Sequence, residues 1–153
     1  MATIITVGTK TDKKGSTVTV KSASSIQDTP VLPFFMRNFS ALIERGWSHP
    51  VSPPVNNGTK AFYAEIDGKV VGHIVYNILE DPYKTAWIVF SCVDEEYRGR
   101  GIYNIIHEYF EGFVKTSGSK KIASYVHVDN LPRQASCESV GMRPFYYRME
   151  KPL

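Results

Sequence analysis

The sequence holds two cysteines, Cys92 and Cys137, and no Cys-x-x-Cys spacing. A disulfide-framed scaffold and a four-ligand zinc site are therefore not expected. The four histidines, His49, His73, His107 and His127, form no His-x-x-x-His or His-Glu-x-x-His pair, so no metal site is read. No apolar run approaches the roughly 18 residues that a membrane span needs. Residues 1–10 lack the charged-then-apolar order of a secretion signal. A cytoplasmic protein without membrane contact is the resulting expectation. Charge of one sign is also scarce: 18 Lys and Arg against 15 Asp and Glu leave a net charge of +3. The basic clusters are small (Lys13-Lys14, Arg98 with Arg100, Lys120-Lys121), so nucleic acid is not an expected partner.

What remains is a globular composition, 42% hydrophobic and 22% charged over 153 residues. That length fits a single domain over residues 1–153. Folding at this size buries roughly 70% of the unfolded chain's surface, enough for a real core.

The pattern starts with alternation. Ile4, Ile5 and Val7 precede a polar break at Asp12-Lys13-Lys14-Gly15, and Val18 and Val20 then alternate with polar residues, which predicts a hairpin. A helix follows, with Asp28 or Thr29 as its cap, Pro30 and Pro33 in its first turn, Phe35, Phe39, Leu42 and Ile43 at helical spacing, and Gly46 as its stop. Residues 46–58 form a long connection, of a length that is often functional; Trp47 and His49 stand out within it. Residues 61–66, then Asp67-Gly68, then a return strand over 70–79 read as a hairpin. A third strand is predicted over 85–93.

At Val93 the period changes. Ile102, Ile105, Ile106, Tyr109, Phe110, Phe113 and Val114 follow helical spacing, with Asn104, His107, Glu108, Glu111 and Lys115 on the other face. Gly118 ends this helix. A strand is predicted over 122–128, a short helix from Asn130 to about Val140, and a last strand over 145–149. The fold class is therefore α/β: a mixed, mostly antiparallel central sheet flanked by helices, with a parallel step across the long helix.

The segment joining the third meander strand to that helix carries the chemistry. Gly99 and Gly101 leave the backbone N–H groups of a helix start open, where the dipole adds partial positive charge. Such a terminus is an anion site, and phosphate is its usual guest. Arg98 and Arg100 offer charge-assisted donors. Neither the Gly-x-x-x-x-Gly-Lys-Ser/Thr loop nor the dinucleotide fingerprint occurs, since Asn104 stands where the latter needs glycine.

Arg98-x-x-Gly101-x-Tyr103, placed between a strand and an amphipathic helix, resembles the Gln/Arg-x-x-Gly-x-Gly/Ala pyrophosphate loop of GNAT-type N-acetyltransferases. That family commonly continues into Asn-x-x-Ala, a Tyr and then Gly-Phe. Asn130 matches the Asn, and Gly141-Met142 matches the Gly-Phe pair. Tyr103 departs from the small residue, Cys137 occupies the Tyr position, and Trp87 stands where some members carry a Glu.

The resemblance implies a GNAT-like fold whose sheet splays between the strands at 85–93 and 122–128. It implies acetyl-CoA, or another acyl-CoA, as co-substrate and no metal. The Ser91 amide would face the thioester carbonyl and Val93 would bond the pantetheine. The amides of Arg98, Gly99, Arg100, Gly101, Ile102 and Tyr103 would hold the pyrophosphate, and Asn130 would line the pantetheine side. The acceptor, an amine on a small molecule, peptide or protein, would enter past residues 47–57. Cys137 is the candidate acid by position. His127 is a candidate base, on the strand expected to line the cleft and of the residue type most used for proton transfer. Dimers are common in such folds, so a homodimer is open.

Two other functions compete with acyl transfer to an amine. One is a non-catalytic acyl-CoA-binding or regulatory module, which the departures at Tyr103, Trp87 and Cys137 motivate. The other is a phosphate-binding module unrelated to coenzyme A, against which the spacing of Asn130 and Gly141 argues.

Overall fold

Asp67 (φ 51°) and Gly68 (φ 75°) both adopt left-handed backbone, which a two-residue hairpin turn requires. They join β3 (Lys60–Ile66) to β4 (Lys69–Ile78). The computed structural model describes residues 2–47 and 55–153. Before β3 come β1 (Ile4–Thr11), β2 (Thr17–Ala23) and helix α1 (Val31–Glu44). After β4 come β5 (Ala86–Val93), a 3-10 turn at Glu95–Tyr97, α2 (Ile102–Thr116), β6 (Ile122–Ala123) and α3 (Leu131–Ser139). The strands lie in the order β1-β2-β3-β4-β5-β6. All pairs are antiparallel except β5 with β6. The expected mixed, mostly antiparallel sheet is present.

Each face of the sheet carries a helix. Ile102, Ile106, Phe110 and Val114 of α2 pack on Phe62, Ile74, Tyr76 and Ile88. Val31 and Phe35 of α1 pack on Ala61, Tyr63 and Val75 across the other face. Fully burying one such large apolar side chain stabilises by roughly 1.5–3 kcal/mol. These two layers hold β5 rigidly, and β5 positions the site.

A bulge shapes β5. Its register with β4 runs Val75↔Phe90 and then Tyr76↔Ile88, leaving Val89 as the extra residue. The alternation is broken there, so Val89 and Phe90 both pack on the α1 side. A bulge bends its strand and raises the local twist. The parallel ladder with β6 accordingly consists of Ala86↔Ile122 and Trp87↔Ala123. Beyond it the Ser124 hydroxyl donates to the Ile88 carbonyl at 2.9 Å, taking the acceptor that a further ladder bond would use.

Five sequence expectations are corrected. The strand expected over 122–128 pairs only at Ile122–Ala123, because the bulge and Ser124 end the ladder. The strand expected over 145–149 does not form, and Tyr146 and Tyr147 are exposed. The segment makes no ladder with the β6 edge of the sheet, and aromatic propensity alone does not make a strand. Helix α1 has Pro30 as its N-cap with no side-chain cap, while the Thr29 hydroxyl donates to Ile26 O at 2.7 Å. His107, expected on the solvent face of α2, is 2% exposed, against Tyr103 and Phe110. Ile43 of α1, expected on its apolar stripe, is exposed.

Candidate active site

The loop 98–101 delivers an open helix end. Gly99 (φ 73°) and Gly101 (φ 83°) both take left-handed backbone, which favours glycine. A Cβ on Gly99 would meet nothing within 4 Å. Gly101 is the N-cap of α2, no side chain caps this terminus, and its first turn contains no acidic residue. The first backbone bond of the helix runs from Ile105 N–H to Gly101 O at 3.1 Å. The amides of Ile102, Tyr103 and Asn104 therefore precede the first intrahelical donor. An uncapped, glycine-lined terminus with no acidic residue in its first turn fits a phosphate group.

The two loop arginines are committed differently. Arg98 Nε donates to Val93 O at 2.9 Å, and its guanidinium lies beside the Cys92 thiol. This ties the loop to the end of β5. Arg100 turns away from the loop: Nε donates to Asp12 Oδ2 and Nη2 to Ser16 Oγ, each at 2.8 Å. The expectation of two charged donors at the loop is thus revised for the Arg100 side chain, which is a structural anchor. Burial pushes the Asp12 carboxyl up, but the Ser16 and Lys14 amides and Arg100 outweigh it and hold its pKa below 3.8.

Lys13, which the sequence reading noted only as half of a small basic pair, takes a place at the loop. Its Cε lies 3.6 Å from where a Cβ on Gly101 would sit. The signal that could have found it is the buried Asp12–Arg100 pair, which links segments far apart in sequence.

The gap between β5 and β6 opens beside this loop. Asp94 N–H bonds Val71 O at 2.8 Å, so period-two alternation turns the Ser91 and Val93 amides away from β4, toward the gap. The Val93 carbonyl is taken by Arg98. Asn130 caps α3, its Oδ1 accepting from Arg133 N at 3.2 Å. Arg133 in turn donates from Nη1 to the Tyr103 hydroxyl at 2.8 Å. Sequence reading did not single out Arg133.

Cys137 is 8% exposed, on α3. Burial raises its pKa above the usual 9.0, so it is a protonated thiol at neutral pH. His127 stacks on Trp47 with centroids 6.1 Å apart. Its Nδ1 accepts from Asp129 N at 3.1 Å, so a neutral ring carries its proton on Nε2. Trp87 meets Tyr125 edge-on at 4.8 Å. Trp47 thus reaches the segment that follows β6, where His127 lies outside the strand it was expected on; His49 lies outside the described residues. Among the described residues no cluster of His, Cys, Asp or Glu suited to a metal ion occurs, and no helix is long and apolar enough to cross a membrane.

The model of the acetyltransferase (GNAT) family matches residues 30–142, a span that runs from α1 to the end of α3 and contains the loop and the gap. The chain belongs to the GNAT acetyltransferase family, whose members use acetyl-CoA, and by class it is an acetyltransferase. Solved structures agree on the fold. An aminoglycoside acetyltransferase from an uncultured soil metagenomic sample, in complex with sisomicin, has a TM-score of 0.64 and 20% identity over 87% of this chain and 97% of that one. A ribosomal-protein-alanine N-acetyltransferase from Brucella melitensis biovar Abortus 2308 has a TM-score of 0.65 and 11% identity over 89% and 99%. No curated protein sequence matches the chain.

Proposed function

We propose that this protein transfers an acetyl group from acetyl-CoA to a primary amine by direct attack within a ternary complex. The observation that carries the reading is the uncapped, doubly glycine-lined start of α2 beside the β5–β6 gap, in a chain of the GNAT family. The amides from Gly99 to Tyr103 bind the pyrophosphate, the Arg98 N–H being already donated to Glu95 O at 3.2 Å. Val93 bonds the pantetheine through its N–H, since its carbonyl is already used. Asn130 lines the same arm.

Three chemical needs follow from acyl transfer. A lysine-like amine with pKa about 10.4 must lose a proton before it attacks. His127, with Nδ1 accepting from Asp129 N–H, acts as a donor that orients the acceptor, and the proton leaves through water. Negative charge developing on the thioester oxygen needs a fixed donor, which the Ser91 amide supplies. The departing thiolate needs a proton, which the buried Cys137 thiol carries.

The acceptor enters on the α1 side, past Trp47. The relatives named above act, by their names, on aminoglycosides and on a ribosomal-protein alanine; both are amine acceptors, so a screen here spans small amines and peptides. Calorimetric titration with acetyl-CoA tests the reading, using wild type beside Gly101→Trp, with circular dichroism to check folding. Binding by wild type that the substitution abolishes supports it. No binding by folded wild type overturns it.

A further inference from the structure

We infer that Lys13, on the turn between β1 and β2, is a phosphate-binding residue of the acyl-CoA site. The inference rests on the acyl-CoA reading and adds to it a residue outside the span that the family model matches, 30–142.

The turn is bolted to the loop. Lys13 N–H donates to Arg100 O at 3.1 Å. Arg100 returns two side-chain bonds, to Asp12 and Ser16. Asp12 Oδ1 accepts from Lys14 N and Ser16 N, each at 2.9 Å. The Asp12 side chain is fully buried and the Arg100 side chain 13% exposed, so this pair is shielded from water. The Tyr97 ring lies 4.9 Å from the Arg100 guanidinium carbon and closes the arrangement.

The result is a lysine stem laid across the N-cap of α2. Cε and Cγ of Lys13 lie 3.6 and 3.9 Å from the Cβ position of Gly101, and no other heavy atom beyond the neighbouring residues comes within 4 Å of it. Lys13 itself is exposed. Among the described residues no carboxylate forms an ion pair with it.

This placement is electrostatically unfavourable without an anion. A helix N-terminus carries partial positive charge and disfavours a nearby cation. Here the first turn holds no acidic residue, and the backbone bond from Lys13 N–H to Arg100 O brings the lysine to that terminus. A phosphate between them turns the repulsion into two attractions. The ammonium is a compact charge on a flexible stem, suited to a phosphate oxygen at a range of positions. Arg100 is spent on Asp12, and Lys13 supplies the charge in its place.

The test is titration of wild type, Lys13→Ala, Lys13→Arg and Gly101→Trp with acetyl-CoA and with acetyl-pantetheine, which lacks the phosphates. Lys13→Ala is expected to weaken acetyl-CoA binding about tenfold, as loss of one charge-assisted contact does. Lys13→Arg is expected to restore most of it, and acetyl-pantetheine to bind wild type and Lys13→Ala alike. The loss is expected to shrink as salt is raised. Lys13→Ala binding acetyl-CoA within about twofold of wild type, while Gly101→Trp does not bind, overturns the role of Lys13 and leaves the acyl-CoA reading standing. Equal weakening of acetyl-pantetheine also overturns it, because the effect is then not on phosphate. Failure of wild type to bind acetyl-CoA removes both.

Discussion

Arg133 Nη1 donates a 2.8 Å hydrogen bond to the Tyr103 hydroxyl, and its guanidinium carbon lies 5.4 Å from the Tyr103 ring centroid. Tyr103 stands where the family's loop carries a small residue. Arg133 stands at the alanine of Asn-x-x-Ala, counted from Asn130. Two departures from one pattern are thus partners of each other, one opening α2 and the other opening α3. The pair ties the start of α2 to the helix that Asn130 caps.

Coupling between them is therefore expected. In urea unfolding, Tyr103→Phe should cost about 1 kcal/mol and Arg133→Ala about 1–3 kcal/mol. The double variant should lose less than the sum by about 0.5–1.5 kcal/mol. Strict additivity would show that the contact contributes nothing.

Asp12 should give the protein an acid-labile anchor. Its folded pKa is below the ordinary 3.8. Its contribution is thus fully present above the unfolded value and is lost as pH falls through the folded one. The melting temperature of wild type should exceed that of Asp12→Asn by a constant margin at neutral pH. That margin should close below about pH 4. A margin independent of pH would contradict the ion pair.

His73 should limit stability in mild acid. It is fully buried among Phe34, Phe35 and Phe90, and neither ring nitrogen has a hydrogen-bond partner. Burial lowers its pKa from 6.5 to about 4. The unfolded chain binds the proton first, so stability falls as pH drops from about 6.5 toward about 4, by roughly 3 kcal/mol. His73→Phe should flatten that part of a denaturation-versus-pH profile. An unchanged profile would place the titration elsewhere.

Cys137→Ala should lower kcat by about a hundredfold to ten-thousandfold with little change in KM, the range for losing a positioned acid. Steady-state kinetics with a working acceptor measures this. Unchanged kcat would assign the proton of the departing thiol to water.

Periodicity made much of the framework legible before any coordinates. The α2 stripe, the Asp67-Gly68 turn and the three-strand meander each follow from a repeat or a turn chemistry acting within a few residues. Gly99 and Gly101 were legible as a glycine-lined helix start for the same local reason. What escaped depends on distant partners. The tail at 145–149 has strand-like residues but pairs with no strand, although β6 is an edge. His107 reads as polar, yet Tyr103 and Phe110 bury it. Arg100 reads as a phosphate donor until Asp12, 88 positions away, claims it. Lys13 gained its place through that same long-range bond.

The central claim is acyl transfer to an amine, and the most direct measurement is acetyl-CoA-dependent thiol release across a panel of small amines and peptides, with mass spectrometry of the acceptor. The account predicts amine-dependent release with a matching yield of N-acetylated product, absent in Gly101→Trp. Tight acetyl-CoA binding with no release above background for any amine would contradict it and would mark the chain as a binding module on the same fold.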